Sequence, residues 1–194
     1  EMPDMYEGGE YDLAGTIVGI VEKDEIVDGS RVQEGDILIA LPSTGLHTNG
    51  YSLARKVLFQ HYGVEDRPDA LGGESVGTAL LRVHRSYLKP IQTLLKSSVV
   101  HGFVHVTGGG IPGNTVRILP EGLDIDVEYD AWERPAIFNL IQQLGDVPED
   151  DMRRTFNLGV GLIAVVPHTH GNQAVDVLRA AGEQPFRIGT VVAK

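Results

Sequence analysis

An alternation of short apolar runs with amphipathic segments most constrains what this chain can fold into. From residue 37 onward, runs rich in Val, Ile and Leu are separated by segments whose apolar residues recur at helical spacing. This irregular succession predicts an α+β, or layered α/β, domain in which helices flank a mixed β-sheet. The predicted strands are 37–42, 99–106, 123–129, 158–167 and 186–193. The predicted helices are 51–63, 76–98 with a break at Pro90, 114–119, 134–145 and 170–182, and a further short helix starts within 148–156.

The residues before position 37 differ from the rest of the chain. Residues 1–10 contain Pro and Gly without a hydrophobic period, which predicts a loop. Residues 11–27 are rich in Ile and Val with partial alternation, which predicts a strand. The turn-rich stretch 28–36 is the clearest domain boundary in the sequence. We therefore divide the chain into two parts, 1–34 and 35–194.

Charge and composition argue against several classes of function. The 194 residues carry a formal net charge of −11 without a cluster of Lys and Arg, so nucleic-acid binding is not expected. No apolar run is long enough for a membrane span, and we expect a cytoplasmic protein. The absence of cysteine excludes disulfides, thiolate metal sites and a cysteine nucleophile. In so acidic a protein, backbone N–H groups and helix N-termini are the expected binders of a phosphorylated small molecule.

The segment HVTGGGIPGN, residues 105–114, places four glycines directly after a predicted strand. Its letters match the dinucleotide-binding pattern G-x-G-x-x-G, but that pattern opens a long helix, and here only 114–119 precede Pro120. No Lys-Ser or Lys-Thr follows the glycines, which excludes a P-loop. Two interpretations remain, a sharp turn with positive φ angles or an anion site made of exposed N–H groups. Three consecutive glycines between a strand and a short helix favour the anion site.

Two further loops carry glycines and polar residues next to predicted strands. PSTGLHTNGYS, residues 42–52, links a strand to a helix N-terminus. This loop predicts either an elaborate N-cap, with Asn49 or Ser52 as the capping residue, or a second set of ligand-binding groups. TFNLGVGL, residues 155–162, places Asn157 before a strand that contains two glycines. Glycines in a strand predict close approach of the backbone to a ligand or to another chain.

The other histidines follow no recognised pattern. The HTH tripeptide at 168–170 lacks a spaced third ligand, so no metal site is predicted. His61 and His84 fall on predicted helix faces, and we expect them to be surface or packing residues.

Taken together, the motifs resemble a known family. GDILIALPSTGLHTNGYSLARKVL, HVTGGGIPGNTVRILPEG and RTFNLGVGLIAVVP are similar to the C-terminal half of phosphoribosylformylglycinamidine cyclo-ligase, also called AIR synthetase. The resemblance runs in order through nearly all of the chain, and residues 1–34 resemble the end of that family's N-terminal domain. Asp4 and Leu158 depart from the residues usual in the family. Residues 35–194 are thus expected to have the fold of the AIR synthetase C-terminal domain.

The resemblance also implies an ATP- and Mg²⁺-dependent ring closure. In this family the formyl amide oxygen of formylglycinamidine ribonucleotide is activated as a phosphate ester. The amidine nitrogen then attacks, and aminoimidazole ribonucleotide, ADP and phosphate result. The family's N-terminal domain supplies most of the ATP site, the metal ligands and much of a homodimer interface. This chain is therefore expected to be a fragment that is inactive alone, with 11–27 as an edge strand that has lost its partner.

Roles for residues in three loops follow from the same resemblance. His47 is the candidate catalytic residue, as a proton donor or charge stabiliser. The candidate substrate-binding residues are Thr44, Gly45, Asn49, Ser52, Thr107, Gly108, Gly109, Gly110, Asn114, Asn157 and Gly159. Two kinds of alternative stay open. One is another member of the superfamily, such as formylglycinamidine ribonucleotide synthetase, selenophosphate synthetase, thiamine-phosphate kinase or a hydrogenase maturation protein. The other is a non-catalytic dimerisation or binding module.

Overall fold

Five strands form one sheet in the computed structural model, which describes residues 14–97 and 99–194. The spatial order of the strands is β2-β4-β1-β5-β3. Their bounds are β1 Ile37–Pro42, β2 Gly102–His105, β3 Leu123–Val127, β4 Val160–Val166 and β5 Phe186–Ala193.

All four pairings among these strands are antiparallel, so the predicted α+β class is correct while the sheet is not mixed. The first three strands run in one direction and the last two in the other. The last two insert between the first three, so strands of the same direction are never neighbours. Hydrophobic patterns locate strands but do not report this interleaving, because both kinds of pairing bury the same apolar faces.

Seven α-helices surround the sheet in the described residues. None of them combines the length and the apolar character that a membrane span requires. Short 3₁₀ turns occupy three further segments, Lys23–Glu25, Asp69–Leu71 and His168–His170. The helices are α1 Tyr51–Leu58, α2 Val76–Leu80, α3 Leu88–Lys96, α4 Gly110–Thr115, α5 Ala136–Gly145, α6 Glu149–Thr155 and α7 Gly171–Ala180.

Successive side chains along each strand point to opposite faces of the sheet. Helices pack on both faces and bury these side chains. On one face, Ile39 of β1 packs with Leu94 of α3 and Leu178 of α7. On the other face, Leu38 packs with Ile111 of α4. A separate cluster joins α1, α5 and α6, and β4 is buried along its whole length. The central strands are therefore held rigidly, and the loops at their ends have a fixed base.

The strand predicted for 11–27 is wrong wherever the structure describes it. Residues 14–22 have no regular secondary structure, a 3₁₀ turn follows, and residues 11–13 lie outside the described part. Ile17 and Ile20 are fully exposed, at 97% and 101% of their accessible surface. A strand needs a neighbour for its backbone N–H and C=O groups, and no described segment runs beside this one.

Two helix boundaries also differ from the prediction. The 76–98 helix is interrupted over 81–87 rather than at Pro90. Pro90 lies in the first turn of α3, where its missing N–H leaves no hydrogen bond unmade. The helix predicted from Asn114 begins earlier, at Gly110, so part of the glycine loop is itself helical.

Candidate functional site

The three loops singled out in the sequence meet at one end of the central strands of the sheet. β1 and β2 run in the same direction with the oppositely directed β4 between them. The ends of β1 and β2 therefore lie beside the start of β4, with Pro42 opposite Val160 and His105 opposite Leu162. The loops at this end of the strands comprise residues 43–50, 107–110 and 157–159, and we call them together the loop edge.

Asn157 ties the loop after β1 to the start of β4. Its Nδ2 donates to the carbonyl of Gly45 at 2.8 Å, and its Oδ1 accepts from Ser43 Oγ and from the N–H of Gly159. The Ser43 N–H donates in turn to the Gly159 carbonyl at 2.8 Å. Asn157 is 2% exposed, and its amide is used within the protein. It therefore shapes the loop edge rather than offering a free group at the surface.

Two N–H groups of the glycine loop donate hydrogen bonds to other backbone groups of the protein. Gly109 N–H donates to the Arg154 carbonyl at 2.9 Å, and Gly110 N–H donates to the Thr107 carbonyl at 3.1 Å. These two N–H groups are therefore not among the exposed donors that the anion-site interpretation requires. The loop is instead docked on the end of α6, and Gly110 has the positive φ of +62° that the sharp-turn interpretation required.

Asn114 holds the glycine loop from inside. Its Nδ2 donates to the Gly110 carbonyl at 2.7 Å, and its Oδ1 accepts from Thr107 Oγ1 at 2.9 Å. Asn114 is 3% exposed, so a ligand at the surface does not reach its amide. Its position supports the backbone of the loop.

Gly108 differs from its two neighbours. Its φ lies outside the left-handed region, and a Cβ added there would meet only Asn49 Oδ1, at an ordinary 3.5 Å. The fold therefore does not require glycine at this position. Gly108 is exposed and faces the loop after β1, so no side chain of its own fills the space beside Asn49.

A strained turn carries Asn49 to this space. His47 and Thr48 both have positive φ, +53° and +64°, which is costly for residues with a Cβ and most of all for a β-branched one. Asn49 Nδ2 donates to the His47 carbonyl at 2.8 Å and so stabilises the turn. The N-cap of α1 is Gly50, without a side-chain cap, so the prediction of Asn49 or Ser52 as N-cap is wrong. Ser52 lies exposed in the first turn of α1.

His47 is buried beneath the loop edge. It is 2% exposed, and its Nε2 accepts the backbone N–H of Thr44 at 3.0 Å. A backbone amide can only donate, so Nε2 is unprotonated and the proton of the neutral ring lies on Nδ1. Nδ1 has no hydrogen-bond partner among the described residues.

Burial of the imidazole, with smaller contributions from His84, His105 and Arg85, lowers the pKa of His47 to about 4. The ring is thus neutral near pH 7. A role for His47 as an imidazolium acid does not fit this environment, whereas a role in holding the turn does.

Two histidines that the sequence did not single out complete a column of rings with His47. The His84 ring stacks on His47, with centroids 4.0 Å apart and an interplanar angle of 17°. His105 follows at 5.3 Å from His84. Burial, and then the charge of His84, lowers the pKa of His105. The three residues come from three distant segments, so no local pattern could have revealed the column.

The candidate residues divide into a surface set and a supporting set. Thr44, Asn49, Ser52, Thr107, Gly108 and Gly109 are exposed or half-buried. Gly45, His47, Gly110, Asn114, Asn157 and Gly159 are buried. Within the described residues, no group of three or more His, Asp or Glu side chains is placed to hold a metal ion. The loop edge therefore offers backbone, hydroxyl and amide groups, and a neutral imidazole behind them.

The depressed histidine pKa values predict how stability depends on pH. Between pH 6.5 and 5 the unfolded chain takes up protons on His47 and His105 that the folded chain does not. The free energy of unfolding should therefore fall over this range by about 1 kcal/mol, measured by urea denaturation. Hydrogen bonding from Arg134 lowers the pKa of Glu149 to about 2, but Glu149 adds little in this window because the pKa of 4.5 that it has when unfolded lies below pH 5. A His47→Gln chain should show a weaker fall, and an equal fall would contradict the assignment.

The fold and the three loops define a member of one family. Residues 33–194 match the family described as AIR synthase related protein, C-terminal domain, and the chain belongs to it. Phosphoribosylformylglycinamidine cyclo-ligase of Anaeromyxobacter dehalogenans (strain 2CP-1) is 49% identical over 193 residues, which are 100% of this chain and 56% of the relative. That of Alkaliphilus metalliredigens is 46% identical over 194 residues, 99% of this chain and 56% of the relative. The chain spans about half the length of the curated relatives it matches.

Solved structures of lower identity share the fold. Thiamine-monophosphate kinase from Stenotrophomonas maltophilia superposes with a TM-score of 0.62 at 16% identity, covering 90% of this chain and 52% of that one. The hydrogenase maturation protein HypE, in complex with ATP, has a TM-score of 0.57 at 21% identity, covering 89% and 47%. These similarities concern the fold alone, and they confirm its predicted class.

Proposed function

We propose that this chain forms the substrate side of an enzyme that closes the imidazole ring of aminoimidazole ribonucleotide at the expense of ATP. One observation carries the proposal. Three loops that are distant in the sequence converge at one sheet edge, in a chain 46–49% identical to cyclo-ligases over nearly its whole length. The two solved structures of other superfamily members named above are 16% and 21% identical, which favours the cyclo-ligase over those alternatives.

We propose that the substrate binds at the exposed surface beside Asn49 and Gly108. The bare backbone at Gly108 allows a phosphate or phosphoryl oxygen to approach closely. Asn49 Oδ1 lies beside Gly108 as an acceptor. Thr44 and Thr107 are half-buried in the same loops, and we propose that their hydroxyl oxygens accept hydrogen bonds from the ribonucleotide. Such a site acts by positioning the reacting groups and by stabilising charge.

The buried residues take supporting roles in this proposal. His47 holds the strained turn that presents Asn49, while Asn114 and Asn157 fix the two loops from below. Gly45, Gly109, Gly110 and Gly159 shape the backbone, and Ser52 stands at the start of α1.

ATP and Mg²⁺ are the proposed cofactors, bound mainly outside the described residues. The described residues hold no cluster of acidic or histidine side chains suited to a metal ion. We therefore assign the Mg²⁺ ligands and most of the ATP site to the N-terminal domain of the complete enzyme. We likewise infer that residues 1–34 end that domain, that the enzyme is a cytoplasmic homodimer joined through it, and that its partner molecule is a small ribonucleotide rather than nucleic acid or membrane.

Complementation with the missing part tests this function. We define the joined enzyme as this chain preceded by the N-terminal portion of the Anaeromyxobacter dehalogenans cyclo-ligase. The joined enzyme should convert formylglycinamidine ribonucleotide and ATP to aminoimidazole ribonucleotide and ADP, whereas the 194-residue chain alone should form no product above background. Product formation at a normal rate by the chain alone, or none by the joined enzyme, would contradict the proposal.

A further inference from the structure

His84 lies on a segment that is fastened across the end of β1. Residues 81–87, which we call the strap, connect α2 to α3 without regular structure. The Val83 carbonyl accepts from Thr44 Oγ1 at 2.7 Å, and Tyr87 Oη donates to the Pro42 carbonyl at 2.8 Å. Arg85 forms an ion pair with Glu183. The strap is thus held on both sides of His84, and the position of its ring is fixed.

The ring of His84 separates a buried imidazole from an exposed one. Its face lies 4.0 Å from His47, which is 2% exposed, and its other neighbour, His105, is open to solvent. His47 in turn carries the strained turn that ends at Asn49. A chain of direct contacts therefore leads from the strap through His47 to the space at Gly108.

We propose that His84 is a positioning residue of the loop edge, whose ring stacks on His47 and seals it from water. This inference rests on the proposed function only for its consequence in catalysis. The placement of the three rings stands without it.

Two physical effects follow from this placement. The His84 ring covers His47, so its removal would admit water to the buried imidazole. Separately, a proton on His84 repels a proton on either neighbour, which contributes to the lowered pKa of both His47 and His105. The other groups that bear on the column are Arg85, whose charge also lowers the pKa of His47, and Tyr87, whose ring meets His47 edge-on at 6.1 Å.

Two substitutions distinguish the effect of covering His47 with a ring from the effect of the charge on His84. His84→Phe keeps a flat ring and removes the charge, whereas His84→Ala removes both. His61→Phe and His61→Ala are matched controls, because His61 is exposed just after α1 and contacts only Tyr62 among the aromatic rings described. The measurement is the NMR titration of the histidine rings in the 194-residue chain.

In His84→Phe we expect the pKa of His105 to rise by about half a unit, as loss of a unit charge at this distance in water implies. The pKa of His47 should stay low, because burial is its largest cause. In His84→Ala the pKa of His47 should rise by about one unit or more, since water reaches the ring. The His61 variants should change neither value. Unchanged titrations in both His84 variants, or unfolding of His84→Phe, would overturn the proposal.

Kinetics of the joined enzyme supply the second readout. We expect His84→Ala to lower kcat/KM about tenfold and His84→Phe to restore most of the loss, because the ring is the part that positions His47. The acid limb of the pH profile should stay in place in His84→Phe and move to higher pH in His84→Ala, because only the second substitution exposes His47. Altered titrations with wild-type kinetics would refute the positioning role. A joined enzyme that forms no product would instead refute the proposed function. The titrations would still show whether His84 seals His47 from water.

Discussion

Replacing Gly110 with alanine is expected to destabilise the chain by on the order of 4 kcal/mol, enough to unfold much of it. Gly110 has φ +62°, and a Cβ there would overlap the backbone carbonyl oxygen of Arg153, which has no room to move. The strain of the left-handed backbone adds to this collision. Urea denaturation followed by circular dichroism should show a large fall in the midpoint, or no folded baseline.

Gly113→Ala is the matched control for this substitution. Gly113 lies in the same helix, α4, and an added Cβ there meets no atom within 4 Å. Alanine is the better helix former, so this chain should be unchanged or more stable by about 0.5–1 kcal/mol. If the two variants unfold at the same urea concentration, the docking of the glycine loop on α6 is wrong.

Much of the fold could be predicted from the sequence because its signals are local. All five strands from residue 37 onward lie within the predicted runs, as does α5 within 134–145. The predictions that were wrong concern structure that depends on contacts with other segments of the chain. Residues 14–27 have the β-rich composition of a strand, yet they form none, since a strand exists only when its hydrogen bonds are shared. The break at 81–87 was misplaced because Pro90 is tolerated in the first turn of α3.

The roles given to the loop residues stay predictions, and the structure adds the contacts that these residues make. The three loops lie together because two of them follow β1 and β2 and the third precedes the oppositely directed β4. The GGG motif favoured an anion site over a sharp turn, and the structure uses the N–H groups of Gly109 and Gly110 within the protein. His84 was expected to be a surface or packing residue, and it does pack, with its ring between His47 and His105. Hydrogen-bond partners and ring contacts across the chain are tertiary facts that a local pattern does not carry.

Replacing Gly108 with alanine is expected to lower activity while leaving the fold unchanged. Alanine fits there without strain, since the nearest atom, Asn49 Oδ1, lies 3.5 Å from the added Cβ. Stability should therefore change by less than about 0.5 kcal/mol. The added methyl group does, however, enter the space between the two loops that we assign to the substrate. Displacing a bound phosphate or reacting group by about 1 Å can reduce the rate on the order of a hundredfold.

The decisive measurement is kcat/KM of the joined enzyme for formylglycinamidine ribonucleotide, in Gly108→Ala and in Gly113→Ala. Both positions are exposed, both accept a Cβ without collision, and they lie five residues apart in the same segment. We predict a fall of between about tenfold and a hundredfold for Gly108→Ala at unchanged stability, and wild-type kinetics for Gly113→Ala. Wild-type kinetics in Gly108→Ala would show that the substrate does not bind at the loop edge.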